Sequence, residues 1–137
     1  MSTPTKTTKK PAVKKPTAKA PTFTLPALRK GEQHAGLVLV DGAWQFLILL
    51  PGEVEGVNWS DAKAWAKKQG GELPSRCEQS ILFGNLKQEF QPRWYWSSEQ
   101  YAPSSDYAWA QGFNIGDQGL YRKGNDYRAR AVRRLAI

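Results

Sequence analysis

Two stretches of incompatible composition meet near residue 28 of this 137-residue chain. Residues 1–27 are dominated by Thr, Lys, Pro and Ala, and after Met1 their first bulky apolar side chains are Phe23 and Leu25. Such a segment cannot bury enough apolar surface to offset the entropy of ordering it. A disordered tail is therefore expected, with its prolines favouring extended backbone. Residues 28–137 hold almost all the aromatic side chains, enough for one compact domain.

Charge follows the same division. Residues 1–30 carry eight Lys and Arg and no acid, whereas residues 31–137 carry twelve basic and twelve acidic residues, so the net +8 belongs to the tail. Lys6, Lys9, Lys10, Lys14, Lys15 and Lys19 could neutralise phosphates without sequence preference, a strongly salt-dependent mode of DNA binding. No aromatic precedes Phe23, so base stacking by the tail is not expected. A solubilising linker or tether is the other reading of this segment. Cys77 is the single cysteine, so no intramolecular disulfide can form and a reducing interior is the simpler setting. No apolar run is long enough to span a bilayer, and the first residues lack the apolar core of a secretory signal, so no membrane role or secretion is expected.

Within the domain, periodicity orders the elements. Gly36–Val40 and Ala43–Leu50 flank Asp41-Gly42, a strong hairpin signal, and Pro51-Gly52 closes the second strand. Asn58 can cap a helix whose Ala62, Trp65 and Ala66 share a face, with Gly70-Gly71 as its stop. Ser75-Arg76-Cys77-Glu78 fits a capping box, and Ile81, Leu82, Leu86 and Phe90 continue as a second helical stripe up to Pro92. From Trp94 the period falls to two. Trp94–Trp96 is a short strand, and Tyr107, Trp109, Gln111 and Phe113 then alternate with small residues. Residues 118–123 can form another strand, and Tyr127 to Leu135 reads as the last. The order predicts an α+β fold: an N-terminal hairpin, two helices, then short antiparallel strands.

Gly71-Glu72-Leu73-Pro74-Ser75-Arg76, Glu78, Trp94-Tyr95-Trp96-Ser97-Ser98-Glu99, Tyr107-Ala108-Trp109 and Arg128-Ala129-Arg130-Ala131-Val132-Arg133-Arg134 occur in that order. Together they resemble a bacterial and prophage family, a domain of unknown function named for the C-terminal domain of a collagen-like adhesin (Lcl). The resemblance spans residues 31–137. It implies a C-type-lectin-like fold with neighbouring terminal strands, and a binding role rather than catalysis. Related folds serve as phage receptor binders and as targets of diversity-generating retroelements, which implies a bacterial cytoplasm or a phage virion as the setting. The Leu73-Pro74-Ser75 stretch is also similar to formylglycine-generating enzymes, but their paired catalytic cysteines are missing. The Glu-Pro-Asn loop and disulfides of calcium lectins are missing too.

The inventory of reactive groups points the same way. One His and one Cys cannot build a zinc site, and Asp106, Asp117 and Asp126 lack calcium-loop spacing, so neither metal nor cofactor is expected. A Cys77–His34 dyad has no evident orienting partner. Glu78 and Glu99 are better read as a helix cap and an arginine partner than as glycosidase carboxylates. For Arg128 and Arg130 two readings stand: an anion site, or clamps to Glu78 or Glu99 that lock helix and loop onto the sheet. The candidate ligand surface is the stretch 101–127, rich in Tyr, Ser, Asn and Gln like a paratope. Its residues are Tyr101, Ser104, Ser105, Tyr107, Asn114, Asp117, Gln118, Tyr121, Arg122, Asn125 and Tyr127, facing a protein or glycan ligand.

Overall fold

Asp41 and Gly42 turn the chain through positive φ values of 49° and 80°, a backbone open to Asp and Gly at small steric cost. Strands β1 (Gln33–Val40) and β2 (Ala43–Leu49) run antiparallel on either side of them in the computed structural model, which describes residues 24–137. The expected disorder of the tail and its six lysines lie outside the described residues. The β1–β2 register shifts between His34 and Gly36, and His34 falls inside β1 rather than before it.

A four-residue strand, β3 (Val54–Val57), comes next and was not anticipated. Helix α1 (Trp59–Lys68) follows, with the Asn58 side chain accepting from the Asp61 amide. Helix α2 (Arg76–Leu86) has both bonds of its capping box: Ser75 Oγ accepts from the Glu78 amide and Glu78 accepts from the Ser75 amide. It stops at Leu86, and residues Lys87–Glu89 tighten into a 3₁₀ turn. Then come β4 (Trp94–Gln100), β5 (Tyr107–Gly112), β6 (Gln118–Arg122), β7 (Tyr127–Ala129) and β8 (Val132–Ala136). The single final strand expected from Tyr127 to Leu135 is thus two strands, broken at Arg130-Ala131.

That break lets the chain change sheets. β8 joins the hairpin in a three-stranded sheet, β1-β2-β8, whereas β7 lies in a five-stranded sheet, β3-β7-β4-β5-β6. Pairing is antiparallel throughout except between β4 and β7. Arg130 holds the crossing: its guanidinium donates to the carbonyls of Leu50 (2.8 Å) and Glu89 (2.6 Å). Burial pushes its pKa down from the usual guanidinium range.

The five-stranded sheet is covered on both faces. Trp96, Ala108, Ala110 and Ala129 point to one side, where Trp59, Ala62 and Ala66 of α1 pack. Tyr95 and Phe113 belong to the other side, with Leu82 of α2 and with Val38, Leu47, Leu49 and Val132 of the three-stranded sheet. Two indole N–H groups tie the first layer: Trp59 donates to the Ser97 carbonyl and Trp96 to the Val57 carbonyl. Gly71 sits where α1 ends against β8; a Cβ there would lie 2.3 Å from the Val132 carbonyl oxygen.

Candidate functional site

Strand β5 alternates bulky and small residues, and the structure assigns the small ones to the α1 side. Ala108 and Ala110 are fully buried there. Tyr107, Trp109 and Gln111 therefore face the α2 side. Register pairs them with Arg122, Leu120 and Gln118 of the edge strand β6. Of these three β5 side chains only Gln111 is buried; Tyr107 and Trp109 are half-exposed.

A network of amides anchors this face. Gln111 donates to the Gln79 carbonyl (3.1 Å), and Gln118 donates to Gln111 Oε1 (2.8 Å) and to the Arg76 carbonyl (2.8 Å). Arg76 Nε returns a bond to Gln118 Oε1 at 2.9 Å. The Arg76 guanidinium lies 3.5 Å from the centre of the Trp109 ring, and Tyr101 meets that ring edge-on at 6.3 Å. Arg122 lies 5.5 Å from the centre of the Tyr107 ring. The result is a strip of aromatic rings and guanidinium groups along the free edge of the sheet.

The anticipated ligand surface is divided by the sheet. Tyr101, Tyr107, Gln118 and Arg122 belong to the strip just described, and Ser104 and Ser105 lie in the turn leading into it. Tyr121 and Tyr127 lie on the opposite face, where Tyr121 meets Trp94 at 4.8 Å and Tyr127 at 5.2 Å, and Tyr127 meets Trp96 at 5.0 Å. They pack against the core, and burial raises the Tyr121 pKa. Asn125 approaches the Tyr127 hydroxyl at 3.3 Å. A groove of about 520 Å³ lies beside this second cluster, lined by Glu55, Gly56, Arg93, Trp94, Asp126, Tyr127 and Arg128. Asn114 and Asp117 are exposed at the β5–β6 turn.

The ion pairs differ from those expected. Glu78 is clamped, but by Arg134, through both Nε and Nη2 (2.6 Å for the latter). Glu99 accepts from the Arg76 backbone amide at 2.7 Å and pairs with no arginine of the last strands. Arg128 pairs with Glu53 (2.5 Å) and Glu55 (2.9 Å) of the β3 region, and the Arg130 guanidinium bonds the carbonyls of Glu89 and Leu50 rather than a carboxylate among the described residues. Arg133 holds Glu32 at 2.7 Å, and that hydrogen bond chiefly keeps the Glu32 carboxyl down at about 2. Among the described residues every arginine–carboxylate pair uses Arg128, Arg133 or Arg134, so Arg76 and Arg122, like Arg29, Arg93 and Arg130, have no carboxylate partner.

Arg76 and Trp109 were not singled out as ligand residues from sequence. The usable signal was the alternation in β5: when the small residues line the packed side, the bulky ones point to the more open side. No group of three or more His, Cys, Asp or Glu converges among the described residues, and no described helix is long and apolar enough to cross a membrane.

Fold and face together define a two-sheet α+β domain with an aromatic–arginine strip at one sheet edge. No family profile matches the chain, and no curated protein matches it in sequence.

Proposed function

We propose that the chain is a non-catalytic, lectin-like binding module of the phage or prophage type, and that it takes a protein or glycan ligand on the strip formed by Tyr101, Tyr107, Trp109, Arg76 and Arg122. The observation that carries this reading is a pair of arginines, Arg76 and Arg122, that have no carboxylate partner among the described residues and are held against half-exposed rings. Tyr and Arg are residues that contribute most to binding when they lie on a rigid base. The hairpin and the last strand share one sheet, in keeping with a lectin-like arrangement of neighbouring terminal strands.

The rival is sequence-independent DNA binding by the lysines of the tail, favoured by the +8 charge of residues 1–30. Printed glycan and peptide arrays, together with a DNA filter assay, separate the two. Full-length chain carrying Tyr107→Ala and Arg122→Ala should lose array capture, whereas chain with Lys6, Lys9, Lys10, Lys14, Lys15 and Lys19 changed to Gln should keep it. The reverse pattern, with DNA retention lost in the lysine variant and array capture absent throughout, would overturn the reading.

A further inference from the structure

We infer that the strip recognises an acidic sugar, a hydroxylated ring bearing a carboxylate; this rests on the ligand-binding reading above and names its ligand class. Arg76 carries the argument. Its backbone amide is fixed by Glu99, its Nε by Gln118 and its flat face by Trp109. Gln118 is in turn held by Gln111, whose own side chain bonds the carbonyl of buried Gln79. Among the described residues the two terminal nitrogens of Arg76 make no bond. A guanidinium immobilised in this way has already lost its rotamer entropy, and its open edge is a fork of donors shaped for a carboxylate.

Arg122 gives a second, more exposed guanidinium beside Tyr107. Tyr107 and Trp109 lie two residues apart on one face of β5, so the two positions are offset by roughly 7 Å along the strand. That offset is on the scale of one sugar unit. The half-exposed rings of Tyr101 and Tyr107 offer apolar faces for the C–H side of a pyranose.

The surrounding carboxylates decide between anions. Glu99 touches the Arg76 backbone, and Asp106 adjoins Tyr107 in an exposed turn. They interrupt the positive potential, so the strip is not the continuous cationic track that a phosphate backbone follows. A sugar ring, by contrast, brings hydroxyl donors that those carboxylates can accept. Ser104 Oγ accepts from the Asp106 amide at 3.4 Å and keeps its own proton to donate.

Isothermal titration of full-length chain tests this, with tetragalacturonate, neutral galactotetraose and a single-stranded oligo-dT as the probes. Tetragalacturonate should bind, galactotetraose should bind at least about tenfold more weakly, and Arg76→Gln and Arg122→Gln should each weaken the uronate by about 10–100-fold. Arg122 is exposed, so that variant reports on binding even if Arg76→Gln unfolds the chain. Equal binding of the neutral sugar, lost in Tyr107→Ala but kept in both arginine variants, overturns the acidic-sugar class and leaves the strip as a binding face. Uronate binding that none of the three variants changes overturns both. Tighter binding of oligo-dT, or no binding of either sugar, overturns the ligand class and returns the strip to the array test.

Discussion

Glu78 joins the α2 cap to the three-stranded sheet, and removing it should cost the domain a large share of its stability. Its side chain is only 1% exposed and accepts from the Ser75 amide and from two nitrogens of Arg134. In Glu78→Ala the capping box loses one bond, and Arg134 keeps only Glu72, whose side chain is 68% exposed. An ion pair broken by deleting one buried partner costs about 3–5 kcal/mol. A domain of this size holds about 5–15 kcal/mol in total, and each kcal/mol moves Tm by about 4–8 °C, so a fall of roughly 12 °C or more is expected. Urea unfolding followed by tryptophan fluorescence is suited to the measurement because Trp96 is fully buried. The cycle with Arg134→Ala adds the decisive number. The double variant should be less damaged than the two single losses summed, with a coupling of about 1–3 kcal/mol, since it removes the stranded guanidinium as well. A Glu78→Ala loss under about 1 kcal/mol, or a coupling within about 0.5 kcal/mol of zero, would refute the reasoning.

Three other outcomes follow from the same packing. Gly71→Ala should destabilise by about 2 kcal/mol or more in thermal melts, because its Cβ meets the Val132 carbonyl at 2.3 Å and backbone must move; a neutral result contradicts the close approach. Glu32 has its pKa lowered from 4.5 to about 2, so its contribution is complete above its unfolded value and lost as pH falls through the folded one. Tm should therefore drop between those two pH values by a margin that Glu32→Gln reduces, and identical acid profiles for the two proteins would count against the Glu32–Arg133 pair. Tyr121→Ala should cost about 1–2 kcal/mol because it loses a tilted contact with Trp94 and an edge-on contact with Tyr127, whereas Arg122→Ala, one residue on, should cost under about 0.5 kcal/mol in the same urea assay.

Local rules made much of the fold legible. The Asp41-Gly42 turn, the Asn58 cap and the Ser75–Glu78 capping box depend on residues within a few positions of one another, and the structure contains all three. What escaped depends on distance. Val54–Val57 is too short, and too interrupted by Gly56, to show a strand period. The alternation that starts at Tyr127 slips by one residue at Ala131-Val132, a change small enough to read as one continuous strand although the backbone changes sheets there. Arginine partners are set by which strands lie side by side, so the acids of the last arginines could not be read from spacing. The candidate strip was half visible for the same reason. Alternation in β5 marks two faces, but only the placement of α1 tells which face is packed. Thus Tyr121 and Arg122, neighbours in sequence, fall on opposite sides of one sheet.

Hydrogen exchange on full-length chain, free and loaded with a ligand captured on the arrays, tests most directly where binding occurs. The account predicts new protection in peptides covering residues 99–109 and 118–124, with residues 1–23 unchanged. Protection confined to residues 1–23, with the β5–β6 edge exchanging as in the free chain, would contradict it.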